Sequence, residues 1–253
     1  MLWFEWDLYD QLQLIQVLDF LASTSREARA ETNTTLSIIC IEGYLGNLAF
    51  DRFADLYETR RDVSDDMLSL GHEAWKAFRS DNPHEMERLI AGDTTALEFL
   101  AGALTRELEE LPSVANGLSR SESQILQSIA QGPLTFSEIF NRVANREERI
   151  FCGDASFARY IERMSLHPNP LMTYPSGDSI DAPRTEEDSR AFRNAEMCLT
   201  KAGTDVLRGD RDWISMGGSD RWLGGVHLDG AEARWRWDTE KRVVVDAPIP
   251  EVE

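Results

Sequence analysis

The spacing of apolar residues along the chain changes period several times, and each change predicts an element. Leu2-Trp3-Phe4 is a short apolar and aromatic run that fits a buried strand. From Leu8, the residues Leu8, Leu12, Ile15, Leu18 and Leu21 recur every three to four positions with glutamines between them, which predicts an amphipathic helix. Asp7 or Asp10 can cap it by accepting the first free backbone N–H groups. After the polar stretch Ser23–Thr34, Leu36-Ser37-Ile38-Ile39-Cys40-Ile41 predicts a strand covered on both faces. Strand, helix and strand at this spacing predict a βαβ unit and a parallel sheet, completed by later strands or by a segment ahead of Met1.

From about residue 50 to 112 the period is helical. Phe50–Glu58 forms one short helix; Ser64 caps the next, with Met67, Leu68, Trp75 and Phe78 among its apolar positions. Asn82-Pro83 opens another, and Asp93 is placed to cap a helix over Thr94–Leu111, with Leu97, Leu100, Leu104, Leu108 and Leu111 as its stripe. This segment reads as packing rather than chemistry.

The character changes near Pro112–Asn116. Ser119-Arg120-Ser121-Glu122 and Thr135-Phe136-Ser137-Glu138 are two capping boxes, separated by the helix stop Gln131-Gly132-Pro133-Leu134. A third helix starts at Asp154 with Phe157, Ile161 and Met164 on one face. Leu171–Tyr174 and Met197–Thr200 read as strands flanking a polar loop, Pro175–Asn194, followed by a short helix through Val206 and Leu207. Three helices, a strand, a wing and a strand are in winged-helix order. In the tail, Asp229-Gly230 predicts a tight hairpin between Val226-His227-Leu228 and Ala231–Trp237, and Val243-Val244-Val245 adds a strand.

Composition and charge narrow the reading. The chain has 253 residues, 42% of them hydrophobic and 28% charged, which excludes a disordered tail or a disulfide scaffold. No apolar run reaches the roughly 20 residues of a membrane span, and the N-terminus lacks a signal-peptide pattern, so a cytoplasmic protein with no membrane partner is expected. Cys40, Cys152 and Cys198 are widely spaced and read as reduced core residues. The net charge is −19, concentrated in residues 1–116, which carry 9 basic and 22 acidic residues. Residues 117–210 carry 11 and 14, so the argument against a nucleic-acid partner is weaker there.

Four blocks resemble a family of uncharacterised bacterial proteins. They are Trp3-Phe4-Glu5-Trp6-Asp7-Leu8-Tyr9-Asp10-Gln11-Leu12-Gln13-Leu14, Gly117-Leu118-Ser119-Arg120-Ser121-Glu122, Gly153-Asp154-Ala155-Ser156-Phe157, and Asp220-Arg221-Trp222-Leu223-Gly224-Gly225-Val226-His227-Leu228 with Trp235-Arg236-Trp237-Asp238. In that family a "domain of unknown function" numbered 1835 precedes another numbered 3658. The resemblance spans nearly the whole chain and implies an α/β N-terminal part and a helix-turn-helix-like C-terminal part, with no established activity. Two departures stand out: the family's leading strand–helix segment, with its Gly-Asp-Ser turn, is expected to be missing here, and Trp6 stands where the family commonly has a histidine.

Three places carry candidate chemistry. Glu5, Asp7 and Asp10 fall at the carboxyl end of the first strand, where open α/β sheets bind ligands; they either hold a metal or act as acid and base, or serve as helix caps. In the Asp220, Arg221, Trp222, Gly224, Gly225 and His227 block, the glycine pair permits close backbone approach. There Arg221 with His227 suits an anion, and Asp220 or Asp238 would orient His227 as a base. The same glycines also suit a plain turn that lets tryptophans pack. The helix from Asp154 offers Arg159 and Arg163 as recognition residues, with Arg142, Arg146 and Arg149 for phosphates. No His-x-x-x-His or Cys-x-x-Cys spacing marks a metal site, and no cofactor motif is present.

The expected fold is α+β and mostly helical. Residues 1–115 would form a βαβ-like α/β remnant with a helical middle, and residues 116–253 a winged-helix-like domain capped by β-hairpins. The expected function is non-catalytic binding or regulation through a macromolecular partner, protein or DNA. The alternative is a metal-dependent enzyme acting on a phosphate-bearing substrate, with Glu5, Asp7 and Asp10 on the metal and the Arg221–His227 loop on the anion.

Overall fold

The computed structural model describes residues 1–23 and 35–247; most of the polar stretch Ser23–Thr34 lies outside them. The fold is mixed α+β and mostly helical, with ten α-helices among the described residues and only short strands. The chain divides into two units: Met1–Glu107 with Gly224–Val226, and Leu108–Leu223 with His227–Glu253.

In the first unit, β1 (Leu2–Glu5) runs into α1 (Leu8–Ser23) and on to β2 (Ser37–Ile41). β1 and β2 pair in parallel, Leu2 opposite Ile38 and Glu5 opposite Ile41, as expected of a strand–helix–strand unit. The sheet is not purely parallel, however. β3 (Arg61–Asp62) closes the other edge of β2 antiparallel, with Ser37 opposite Asp62. A two-residue strand can follow α2 (Arg52–Glu58) back to the edge without the long crossover that a parallel neighbour needs.

α1 buries Leu8, Gln11, Leu14, Ile15 and Leu18, so its inner stripe passes through Leu14, and Leu12 is only half-buried. It packs on α3 (Asp65–Phe78), which Ser64 caps by accepting the Met67 N–H at 3.1 Å. The two helices approach at Gly71, where an added Cβ would stand 2.4 Å from Leu18 Cβ. α4 (His84–Ile90) begins just after Pro83. The helix expected over Thr94–Leu111 starts later, as α5 (Leu100–Leu108). Asp93 takes the Thr95 N–H and hydroxyl in a local turn, and this side-chain competition with the backbone delays the helix. The apolar positions Leu97, Leu100, Leu104, Leu108 and Leu111 are nevertheless all buried.

The second unit is built from α6 (Arg120–Ser128), β4 (Leu134–Thr135), α7 (Phe136–Ala144), α8 (Asp154–Leu166), β5 (Met172–Thr173), α9 (Glu186–Asn194), β6 (Glu196–Leu199) and α10 (Lys201–Leu207). Both capping boxes form at the expected residues: Ser119 with Glu122, and Thr135 with Glu138. β4, β6 and β5 make a small antiparallel sheet with β6 in the middle. Ile125, Ile139, Phe157, Ile161, Met164, Met197 and Trp213 fill the core beneath it.

Two expectations fail in this unit. The polar segment Pro175–Asn194 is not all loop: Thr185 caps α9 by accepting the Asp188 N–H, and Phe192 anchors the helix in the core. Hairpin geometry also falls elsewhere. β7 (Asp220–Leu223) and β8 (Val226–Asp229) pair across Gly224-Gly225, whereas Asp229-Gly230 leads into a 3₁₀ turn, Gly230–Glu232. β9 (Trp235–Asp238) then pairs antiparallel with β10 (Val243–Asp246) as a separate two-stranded sheet, so the β10 segment adds no third strand to an earlier hairpin.

Candidate functional site

The N-terminal carboxylates are occupied by the backbone around them. Asp7 Oδ1 accepts the N–H groups of Tyr9 at 2.8 Å and Asp10 at 3.2 Å, capping α1. Asp10 Oδ2 reaches back to the Glu5 N–H at 2.6 Å, and Glu5 Oε1 takes the Leu45 N–H at 2.6 Å. Burial pushes the Asp7 carboxyl above the ordinary aspartate value, although the two caps pull the other way. Each carboxylate therefore fixes a turn. Gln11 donates to the Glu5 carbonyl at 2.8 Å and completes the same knot. Of the two readings of this cluster, helix caps or metal and acid–base ligands, the first describes these hydrogen bonds.

The cysteines are free, but none belongs to the fully buried core; all three are half-buried. Burial still pushes the Cys40 thiol up to about 11, which keeps it a poor nucleophile near neutral pH.

Helix α8 presents Arg159 outward and leaves Arg163 half-buried. Neither offers a bare cation. Arg159 pairs with Glu162 one turn on at 2.6 Å, and the Arg163 guanidinium lies 4.6 Å over the Tyr160 ring. Asp154 at the helix start holds Arg193 at 2.6 Å. The supporting arginines are likewise engaged: Arg142 donates to the Ser128 carbonyl at 3.0 Å and Arg146 to that of Gln124 at 3.3 Å. The second-unit segment 108–253 carries 17 basic and 25 acidic residues.

The glycine pair does permit a close approach, but to protein. In the first unit Gly225 donates its N–H to the Phe78 carbonyl at 2.9 Å, and a Cβ there would stand 2.0 Å from the Arg79 carbonyl oxygen. Arg221 donates to the Glu110 carbonyl.

On the hairpin, residues alternate between inside and outside. Leu223, Val226 and Leu228 are buried, while Asp220, Trp222, His227 and Asp229 share the outward face. His227 Nε2 lies 2.8 Å from Asp220 Oδ1, and its ring stacks on Trp222 at 4.5 Å with 7° between planes. Ligand atoms of Asp220, His227 and Asp229 all fall within 4.8 Å of one another. Asp229 is a partner that sequence spacing missed, because helical motif rules do not see a set assembled across two strands. The alternation around Gly224-Gly225 was the available signal. Asp238, the other carboxylate considered for orienting His227, instead pairs with Lys241 at 2.9 Å.

No family model, curated protein or solved structure matches the chain. Among the described residues no helix is long and apolar enough to cross a membrane.

Proposed function

We propose that this is a non-catalytic binding or regulatory protein whose second unit acts as a winged-helix-like module, and that α8 engages a protein partner rather than DNA. The element order α6, β4, α7, α8, β5, α9, β6, with α9 in the segment between the last two strands, and the antiparallel order β4–β6–β5 support the winged-helix reading. The observation that carries the choice of partner is the pairing of the α8 cations. Contacting phosphate requires freeing Arg159 from Glu162 and Arg163 from Tyr160, and that cost is set against a negatively charged unit. The outward residues Ala155, Ser156 and Leu166 beside those pairs suit a protein surface better than a polyanion.

Fluorescence anisotropy with random duplex DNA at about 50 and about 200 mM salt tests this. The expected result is no salt-sensitive binding at either concentration. Tight binding that collapses with salt and is lost in Arg159→Ala/Arg163→Ala would overturn the proposal in favour of a DNA-binding winged helix.

A further inference from the structure

We infer that Asp220, His227 and Asp229 form a binding site for one first-row divalent transition-metal ion on the outward face of the β7–β8 hairpin. Three features of that face converge on a cation. First, the donor atoms are already close: all fall within 4.8 Å of one another, and His227 Nε2 is 2.8 Å from Asp220 Oδ1. Two donors bound to one ion at about 2.1 Å, at tetrahedral or right angles, lie roughly 3.0–3.4 Å apart. The His–Asp pair therefore needs only a slight separation, and Asp229 a side-chain rotation.

Second, two carboxylates share this face with no Lys or Arg between them. Among the described residues Asp220 has His227 as its partner, and the Asp229 side chain makes no hydrogen bond or ion pair. Like charges on neighbouring exposed strand positions repel, and a cation held between them removes that cost. Third, the imidazole is already oriented. Trp222, 66% exposed and stacked flat on the ring, fixes its plane, and Nε2 already faces the Asp220 carboxylate.

One imidazole nitrogen with two carboxylate oxygens selects Zn²⁺, Mn²⁺, Co²⁺ or Ni²⁺ over Mg²⁺, which prefers oxygen ligands and keeps its water. Coordination at Nε2 selects the tautomer of the neutral imidazole that carries its proton on Nδ1. Two other histidine–carboxylate pairs occur among the described residues, His72 with Asp19 at 2.6 Å and His84 with Glu87 at 2.5 Å. Neither belongs to a set of three among the described residues.

The experiment is calorimetric titration of the full chain, stripped with EDTA, with ZnCl₂ and separately with MgCl₂. One Zn²⁺ per chain is expected, with no saturation by Mg²⁺ at the same concentrations. His227→Ala and Asp229→Asn should each weaken Zn²⁺ by at least about tenfold, and His72→Ala should leave it unchanged. Far-UV circular dichroism checks that these exposed substitutions leave the fold intact. Absence of saturable Zn²⁺ binding, equal binding of Mg²⁺, or a Zn²⁺ affinity untouched by His227→Ala would overturn the assignment.

Discussion

Tyr160 donates its hydroxyl to Glu110 Oε2 at 2.9 Å, tying the middle of α8 to the chain ahead of α6 across fifty positions of sequence. Glu110 is 1% exposed, and its other oxygen accepts from Ser121 Oγ at 2.6 Å and from the Ser121 N–H at 3.3 Å. Burial and the neighbouring carboxylate raise the Tyr160 hydroxyl well above its usual value, so it stays a donor at every physiological pH. Glu110→Ala strands three donors at once and should cost about 2–4 kcal/mol, whereas Tyr160→Phe removes one donor and should cost about 1–2 kcal/mol. Urea unfolding of the two variants checks the order. Equal costs would mean that Tyr160, rather than Ser121, is the main partner.

Asp212 and Arg236 form the second polar tie of this unit. The guanidinium reaches both carboxylate oxygens at 3.1 Å, and Asp212 also takes the Ser215 N–H at 2.9 Å. Burial alone would raise this carboxyl, but the Arg236 and Ser215 hydrogen bonds outweigh it and hold the group below the ordinary aspartate value. The sign follows from linkage. A carboxyl lowered in the folded state adds stability that is present above its unfolded value, near 4, and is lost as pH falls through the lower folded value. Asp212→Asn should therefore be less stable than the wild type at pH 7, and the gap should shrink as the pH drops below about 4. Denaturant midpoints across that range are the measurement. A gap independent of pH would show that the contact acts through packing instead of charge.

The two capping boxes offer a matched comparison of burial. Ser119 is 1% exposed and its Oγ accepts the Glu122 N–H at 3.2 Å, while Thr135 forms the same box at the surface. Removing a cap costs about 1 kcal/mol when water can replace it and approaches about 2 kcal/mol when it cannot. Ser119→Ala should thus lower the denaturant midpoint more than Thr135→Ala.

Those boxes also mark what is legible in the sequence. A cap acts over three residues of chain, so Ser64, Ser119 and Thr135 point to the correct residue without any knowledge of the fold. Elements whose cause is distant are not readable in this way. α9 carries a single core anchor, Phe192, and so has no apolar stripe to see. Asp229-Gly230 and Gly224-Gly225 are both acceptable turns locally, and it is pairing of β7 with β8 that selects the second. The same selection brings Asp229 beside Asp220 and His227. At the other end, the carboxylates of Glu5, Asp7 and Asp10 resemble a ligand cluster in sequence because only coordinates reveal which backbone N–H groups they satisfy.

Gly225 tests that pairing from the other side. A Cβ placed there would meet the Arg79 carbonyl oxygen at 2.0 Å, the Arg79 carbonyl carbon at 2.3 Å and the Ser80 carbonyl oxygen at 2.7 Å. All three are backbone atoms, which cannot swing aside as a long side chain does. Relieving the overlap means breaking the bond from the Gly225 N–H to the Phe78 carbonyl as well. Gly225→Ala should therefore cost about 3 kcal/mol or more, at the upper end of overpacking penalties. Gly46→Ala is the control, because an added Cβ there has nothing within 4 Å and the change should stay within about 0.5 kcal/mol. If both variants unfold at the wild-type denaturant concentration, the hairpin tip does not make the approach to Phe78–Ser80 described above.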